Sequence, residues 1–133
     1  MRKKILICDD NSVFLEIFKF IFKDENLDIL TLPDGSELFL TAKQQLPSLI
    51  ILDLMMPGKD GITALRELGG DPVTAAVPVV VVSSSVNPEI VRQARGLGAR
   101  EVIEKPFNAV RLREIVRKYL AQGNAAKDPE KSL

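Results

Sequence analysis

Five short runs of aliphatic residues, mostly branched, recur along the chain: "ILIC" (5–8), "LDILTL" (27–32), "LIILDL" (49–54), "VPVVVV" (77–82) and "EVI" (101–103). A strand apolar at successive positions has no side left for water, so it must be covered on both faces. Longer segments with helical spacing lie between the runs. Strand and helix in alternation predict five βα units, a parallel sheet with helices on both sides, and hence an α/β sandwich.

Size and composition suit one such layer stack. The 133 residues match a single core, and a hydrophobic content of 46% is enough to fill it. Lys plus Arg number 18 and so do Asp plus Glu, so net charge offers no attraction for nucleic acid or an anionic membrane. Any electrostatic function is local, and no direct nucleic-acid binding is expected. No apolar run approaches the ~18–20 residues of a membrane span, and the apolar part of "MRKKILIC" is too short for a secretory signal. Cys8, the only cysteine, lies inside the first apolar run and reads as a small buried hydrophobe in a reducing setting. The expected location is cytoplasmic, without membrane association.

The helical segments follow from apolar spacing and from caps. The first is expected from Ser12 to about Asp24, with Ser12 as N-cap and Phe14, Ile17, Phe18 and Ile21 facing the sheet. Leu15, Phe22, Val13 and Phe20 widen its apolar arc beyond what covering a sheet requires. That arc fits either a well-covered core helix or a docking surface for a partner's helices. A second helix lies within "PDGSELFLTAKQQLP" (33–47), with Leu38, Phe39 and Ala42 inward and Pro47 closing it. A third runs from Gly61 to Leu68 and ends at Gly69-Gly70. The fourth spans Pro88 to Leu97 behind an Asn87 N-cap, and the fifth spans Ala109 to Leu120 with Val110, Leu112, Ile115, Val116 and Leu120 apolar. Residues 1–121 are thus expected to form the domain. Residues 122–133, polar and without apolar periodicity, are expected to be a disordered tail or a truncated linker.

Ligands of an open parallel sheet bind outside the carboxyl ends of its strands, near the point where strand order reverses. The first strand ends in Asp9-Asp10, the third in Asp53, the fourth in Ser83-Ser84, and the fifth is followed by Lys105-Pro106. Two unit charges about 4 Å apart at an effective dielectric near 20 repel by about 4 kcal/mol, so three gathered carboxylates need positive charge among them. One lysine leaves a formal charge of −2, which a divalent cation would cancel. With no histidine and one cysteine in the chain, hard oxygen donors favour Mg²⁺ over zinc. A metal beside a carboxylate at a pocket mouth suits phosphoryl transfer, with Asp53 as nucleophile and the metal and Lys105 neutralising the phosphoryl oxygens.

Four motifs in this order, "CDDN" (8–11), "LDLMMPGKDG" (52–61), "VVVSS" (80–84) and "EKPF" (104–107), resemble the receiver domain of two-component response regulators over about residues 3–121. The resemblance implies a flavodoxin-like fold, a doubly wound five-stranded parallel sheet of order 2-1-3-4-5 with five helices. It implies Asp53 as phosphoacceptor, Asp10 as direct Mg²⁺ ligand with Asp9 acting through water, and the Met55 backbone carbonyl completing the metal's protein ligands. Ser83 matches the switch hydroxyl, Lys105 pairs with the phosphoryl group, and the Lys105-Pro106 bond is expected to be cis. Pro57 and Gly61 match the loop after the aspartate, where glycine permits a strained turn. The implied partner is a histidine kinase or phosphotransfer protein. Output is implied on the face of the fourth helix, fifth strand and fifth helix, with a homodimer through that face as one form. The implied activity is a switch that assists its own phosphorylation and dephosphorylation, not turnover of an external substrate.

Three positions depart from the family pattern. Val102 replaces the aromatic residue common in the fifth strand, Met55 offers no donor two residues after the acceptor, and Ser84 leaves room beside the switch residue. Two alternatives remain at this point. A Mg²⁺-dependent phosphatase of the haloacid dehalogenase type needs a second Asp two residues after its nucleophile, where Met55 stands. A phosphorylation-independent interaction module on the same scaffold would not need the intact set Asp9, Asp10, Asp53, Ser83 and Lys105. No output segment is read after residue 121, which fits either a stand-alone receiver or one cut from a longer regulator.

Overall fold

The aliphatic runs pair edge to edge into one sheet, and helices bury both of its faces. The computed structural model describes residues 2–56 and 59–122. In chain order the elements are β1 (Lys3–Cys8), α1 (Ser12–Ile21), β2 (Leu27–Leu32), α2 (Leu38–Gln45), β3 (Leu49–Leu52), α3 (Gly61–Gly69), α4 (Pro72–Ala75), β4 (Val79–Ser83), α5 (Pro88–Gly96), β5 (Ala99–Glu104) and α6 (Ala109–Gln122). The five strands are all parallel and lie in the order β2-β1-β3-β4-β5. This is the flavodoxin-like topology, and its strand order reverses between β1 and β3.

Alternation along each strand divides the core into two layers. Leu6, Cys8, Ile50, Leu52, Val79 and Val81 pack with Leu38, Ala42, Leu65, Leu68 and Ala94 on the side of α2, α3 and α5. Ile5, Ile7, Leu49, Ile51, Val80 and Val82 pack with Phe18, Ile21, Phe22, Leu112 and Val116 on the side of α1 and α6.

The sequence predicts five helices; the described residues form one more, the single turn α4. Asp71 caps it by accepting from Val73 N at 2.8 Å, and Pro72 occupies its first turn. Thr74 Oγ1 donates to Leu68 O at 2.6 Å, tying this turn to α3. The "DP" start signal was present, but a four-residue helix has too little apolar periodicity to register. Asn87 caps α5 as expected, accepting from Ile90 N. The expected tail lies outside the described residues from 123 onward.

The first helix is shorter than expected and is capped one residue earlier. Asn11, not Ser12, is the N-cap, its side chain accepting from Val13 N and Phe14 N. The helix ends at Ile21, and Phe22 as C-cap has φ −102° and ψ 8°, which takes it off the helical wheel. Phe22 is therefore buried, while Ile17, expected inward, is 38% exposed. Val13 at 63% and Phe20 at 68% exposed make an apolar outer strip.

Alanine substitutions separate these roles. Phe18→Ala is expected to lower unfolding free energy by about 3–5 kcal/mol, as for a large buried aromatic. Phe20→Ala is expected to stay within about 0.5 kcal/mol of the parent. Urea denaturation of the two variants checks the assignment, and equal losses would contradict it.

Candidate functional site

Strand register sets the acidic residues side by side. Cys8 pairs with Leu52 across β1 and β3, so Asp9 and Asp53 both follow the last paired residue of their strands. Asp53 N donates to Cys8 O at 3.0 Å, and Asp9 N donates to Leu32 O at 3.1 Å. On the other flank Ser83 pairs with Glu104, and Lys105 N donates to Ser83 O at 2.9 Å. Four strands thereby present Asp9, Asp10, Asp53, Ser83 and Lys105 at one end of the sheet.

Carboxylate oxygens of Asp9, Asp10 and Asp53 all lie within 4.8 Å of one another. Asp9 and Asp53 are buried and Asp10 is exposed. Lys105 Nζ donates to Asp9 Oδ2 at 2.7 Å and to Asp53 Oδ2 at 3.1 Å. The remaining oxygens also have partners: Asp9 Oδ1 accepts from Asn11 N at 2.9 Å, and Asp53 Oδ1 from Met55 N at 3.0 Å. An open cleft of about 360 Å³, lined by Asp10, Phe14, Asp53, Met55, Ser84 and Lys105 among others, leads to these groups. Oxygen-only donors at this spacing fit a hard divalent cation in the size range of Mg²⁺.

Two features show how the protein environment acts on the site. Burial raises the Asp9 carboxyl above its ordinary range, against the lowering by Lys105 and the Asn11 N–H. Ser83 Oγ is buried and, among the described residues, has no hydrogen-bond partner. A buried hydroxyl without a partner costs about 1–3 kcal/mol. Cys8, which precedes Asp9 in the chain, is buried. Burial first, and then the charges of Asp34, Asp9, Asp53 and Asp10, push its thiol up to about 12, and its Sγ donates to Asp34 O at 3.0 Å.

Other expected residues fall as follows. The Lys105-Pro106 bond is cis. Met55 is 56% exposed and contributes its N–H to Asp53. Pro57 lies outside the described residues. Gly61 is required for space and not for a left-handed φ: a Cβ there would lie 2.3 Å from Leu54 Cα and 2.7 Å from Asp53 O. Val102 is half-buried against the core layer of α2, α3 and α5. The sequence reading did not give Asn11 a role at the site, although the "CDDN" motif contained it. Asn11 both holds Asp9 and caps α1, and a signal for it existed in the N-cap preference of asparagine.

Residues 5–117 match the family model described as the response regulator receiver domain. The chain belongs to this family. This receiver domain is 31% identical over 124 residues to the DNA-binding response regulator MtrA of Mycolicibacterium paratuberculosis, a match covering 93% of the chain and 54% of the relative. It thus spans about half the length of that curated relative. The solved signal receiver domain of a protein described as a Luxo repressor from Vibrio parahaemolyticus is 27% identical, with a TM-score of 0.86, coverage of 96% of this chain and 94% of that one. The receiver domain of sensor histidine kinase PA1611 from Pseudomonas aeruginosa PAO1, described with a magnesium ion coordinated in its active site cleft, shares the fold. Its TM-score is 0.82 at 21% identity, covering 91% of this chain and 99% of that one.

Burial of Asp9 has a consequence for stability against pH. A carboxyl raised on folding binds its proton more tightly in the folded state, so its contribution to stability is lost as pH rises from the ordinary aspartate range. Asp9→Asn removes that loss. Without divalent ions, the stability difference between variant and parent, followed by urea denaturation, is expected to move in favour of the variant as pH rises from the ordinary aspartate range. Adding Mg²⁺ is expected to stabilise the parent more than the variant.

Proposed function

We propose that this receiver domain, over residues 1–121, accepts a phosphoryl group on Asp53 from a histidine kinase or phosphotransfer protein in a Mg²⁺-dependent reaction. The observation that carries this reading is the pairing of a buried Asp53 carboxylate with Lys105, inside a set of three carboxylates close enough to share one cation. Bound there, Mg²⁺ would supply charge neutralisation for the phosphoryl oxygens. Asp10 and Asp53 would hold it directly, Asp9 through water, and the Met55 carbonyl would complete the protein's share.

The remaining steps belong to the chain. A carboxylate oxygen of Asp53 attacks phosphorus, the phosphorus–nitrogen bond to the donor's histidine breaks, and an acyl phosphate forms with the imidazole as leaving group. Lys105 pairs with a phosphoryl oxygen. Ser83 Oγ, which has no hydrogen-bond partner among the described residues, gains an acceptor when the phosphoryl group arrives. Drawing Ser83 inward shifts the loop between β4 and α5 and biases the α5-β5-α6 face, which serves output, with a homodimer through that face as one form. The domain in this way assists its own phosphorylation and dephosphorylation without turning over an external substrate. The haloacid dehalogenase alternative lacks its general acid, since Met55 presents an exposed thioether there.

Incubation with acetyl phosphate and Mg²⁺ is expected to add the mass of one phosphoryl group to the intact protein. Asp53→Asn or omission of Mg²⁺ is expected to abolish the addition; a modified Asp53→Asn protein would refute the assignment. Beryllofluoride with Mg²⁺, a phosphoryl mimic, is expected to move amide resonances across residues 83–107. Shifts confined to the acidic cleft would remove the switch.

A further inference from the structure

The ammonium of Lys105 has a third neighbour besides its two carboxylates. Its Nζ lies 4.0 Å from the centroid of the Phe14 ring, inside the ~6 Å over which the negative face of an aromatic ring attracts a cation. That attraction grows as water is removed, and the Lys105 side chain is only 7% exposed. Two of the three N–H donors are matched by Asp9 Oδ2 and Asp53 Oδ2. The described residues offer the ammonium no further oxygen, and the ring supplies the remaining contact.

The ring is braced from three directions. Phe14 lies in the first turn of α1, where its N–H donates to Asn11 Oδ1 at 3.3 Å; Asn11 N in turn donates to Asp9 Oδ1. Its centroid is 6.4 Å from that of Phe18 and 6.1 Å from that of Phe107. Phe18 and Phe107 are themselves stacked, 5.5 Å apart and 7° from parallel. Phe107 follows Lys105 by two residues, so the loop that carries the ammonium also carries a ring that supports Phe14. Phe14 lines the cleft beside Asp53 as well.

We propose that Phe14 is a positioning residue for Lys105, its ring face holding the ammonium over the cleft where it can pair with an incoming phosphoryl oxygen. This rests on Asp53 being the phosphoacceptor. A lysine has a flexible four-carbon stem and a point charge with no fixed direction. Two buried carboxylates draw it toward the floor of the site, and water draws it outward. The Phe14 face limits both displacements, so the ammonium is already near the phosphoryl position when the group arrives. An aliphatic side chain fills the same space but has no quadrupole with which to hold the charge.

The test uses a double-mutant cycle and a conservative rescue. Apparent affinity for beryllofluoride at saturating Mg²⁺ is measured by amide shift titration for the parent, Phe14→Leu, Phe14→Tyr, Lys105→Gln and the Phe14→Leu/Lys105→Gln double variant. Phe14→Leu is expected to weaken binding roughly five- to thirty-fold, and Phe14→Tyr to bind within about two-fold of the parent because its ring face persists. In the Lys105→Gln background, Phe14→Leu is expected to have no further effect. An unaltered affinity in Phe14→Leu, or an equal loss with and without Lys105, would overturn the proposal. A parent protein silent to beryllofluoride would overturn the phosphoacceptor reading and the phosphoryl part of the proposal with it. The ring–ammonium contact is then judged alone, by urea denaturation of the same cycle: coupling upholds it and additivity removes it.

Discussion

The ammonium of Lys105, set between Asp9 and Asp53 at 2.7 and 3.1 Å, is the interaction on which the functional end of the molecule depends. Two buried carboxylates at adjacent strand ends repel strongly in a medium less polarisable than water, and burial alone already pushes Asp9 toward its protonated form. One cation shared between them makes the arrangement tolerable without neutralising it. With Asp10 close by, the formal charge of the cluster remains −2. The same lysine joins the first, third and fifth strands electrostatically, so the site also acts as a clasp across the sheet's end.

The sheet explains why this clasp can be built at all. A parallel sheet covered on both faces aligns its strand ends, and order β2-β1-β3-β4-β5 puts β1 and β3 side by side at the reversal point. Close packing then fixes the loops. The N–H of Gly61 donates to Leu54 O at 3.0 Å, and the lack of a Cβ at Gly61 lets α3 start directly against the backbone of Asp53 and Leu54. The loop after Asp53 is thereby held by the helix that follows it. Asn11 performs the matching task on the other side, holding Asp9 while it caps α1. Both supports join an aspartate of the cluster to a helix start, so the site inherits the rigidity of the core beneath it.

Much of this was legible before folding, because aliphatic strands and their acidic or hydroxyl ends leave plain marks in the residues. The runs at 5–8, 27–32, 49–54, 77–82 and 101–103 located all five strands, and the carboxylates at the ends of the first and third runs marked the metal-binding candidates. The misreadings have local physical causes. Phe22 left the wheel because the helix stopped at Ile21, and helical periodicity has no information about where a helix stops one turn early. The turn at Pro72–Ala75 escaped notice because it is held by a cap and by Thr74 bonding to Leu68 O, not by an apolar stripe. Phe14 read as a core residue, since its spacing is the same whether it faces aliphatic side chains or a buried ammonium.

The sequence by itself determined the layer architecture and the chemical identity of the site, because both rest on residue type and order: doubly apolar runs require a covered sheet, and strand ends require their residues to meet at one edge. Only the tertiary structure decided which atoms meet. It placed the Lys105 ammonium against Asp9, Asp53 and the face of Phe14, left Ser83 Oγ without a partner among the described residues, and gave Gly61 its need for space. Contacts of this kind join residues up to 96 positions apart. They depend on strand register and on which side of a wall a flexible side chain takes, neither of which is written in local sequence.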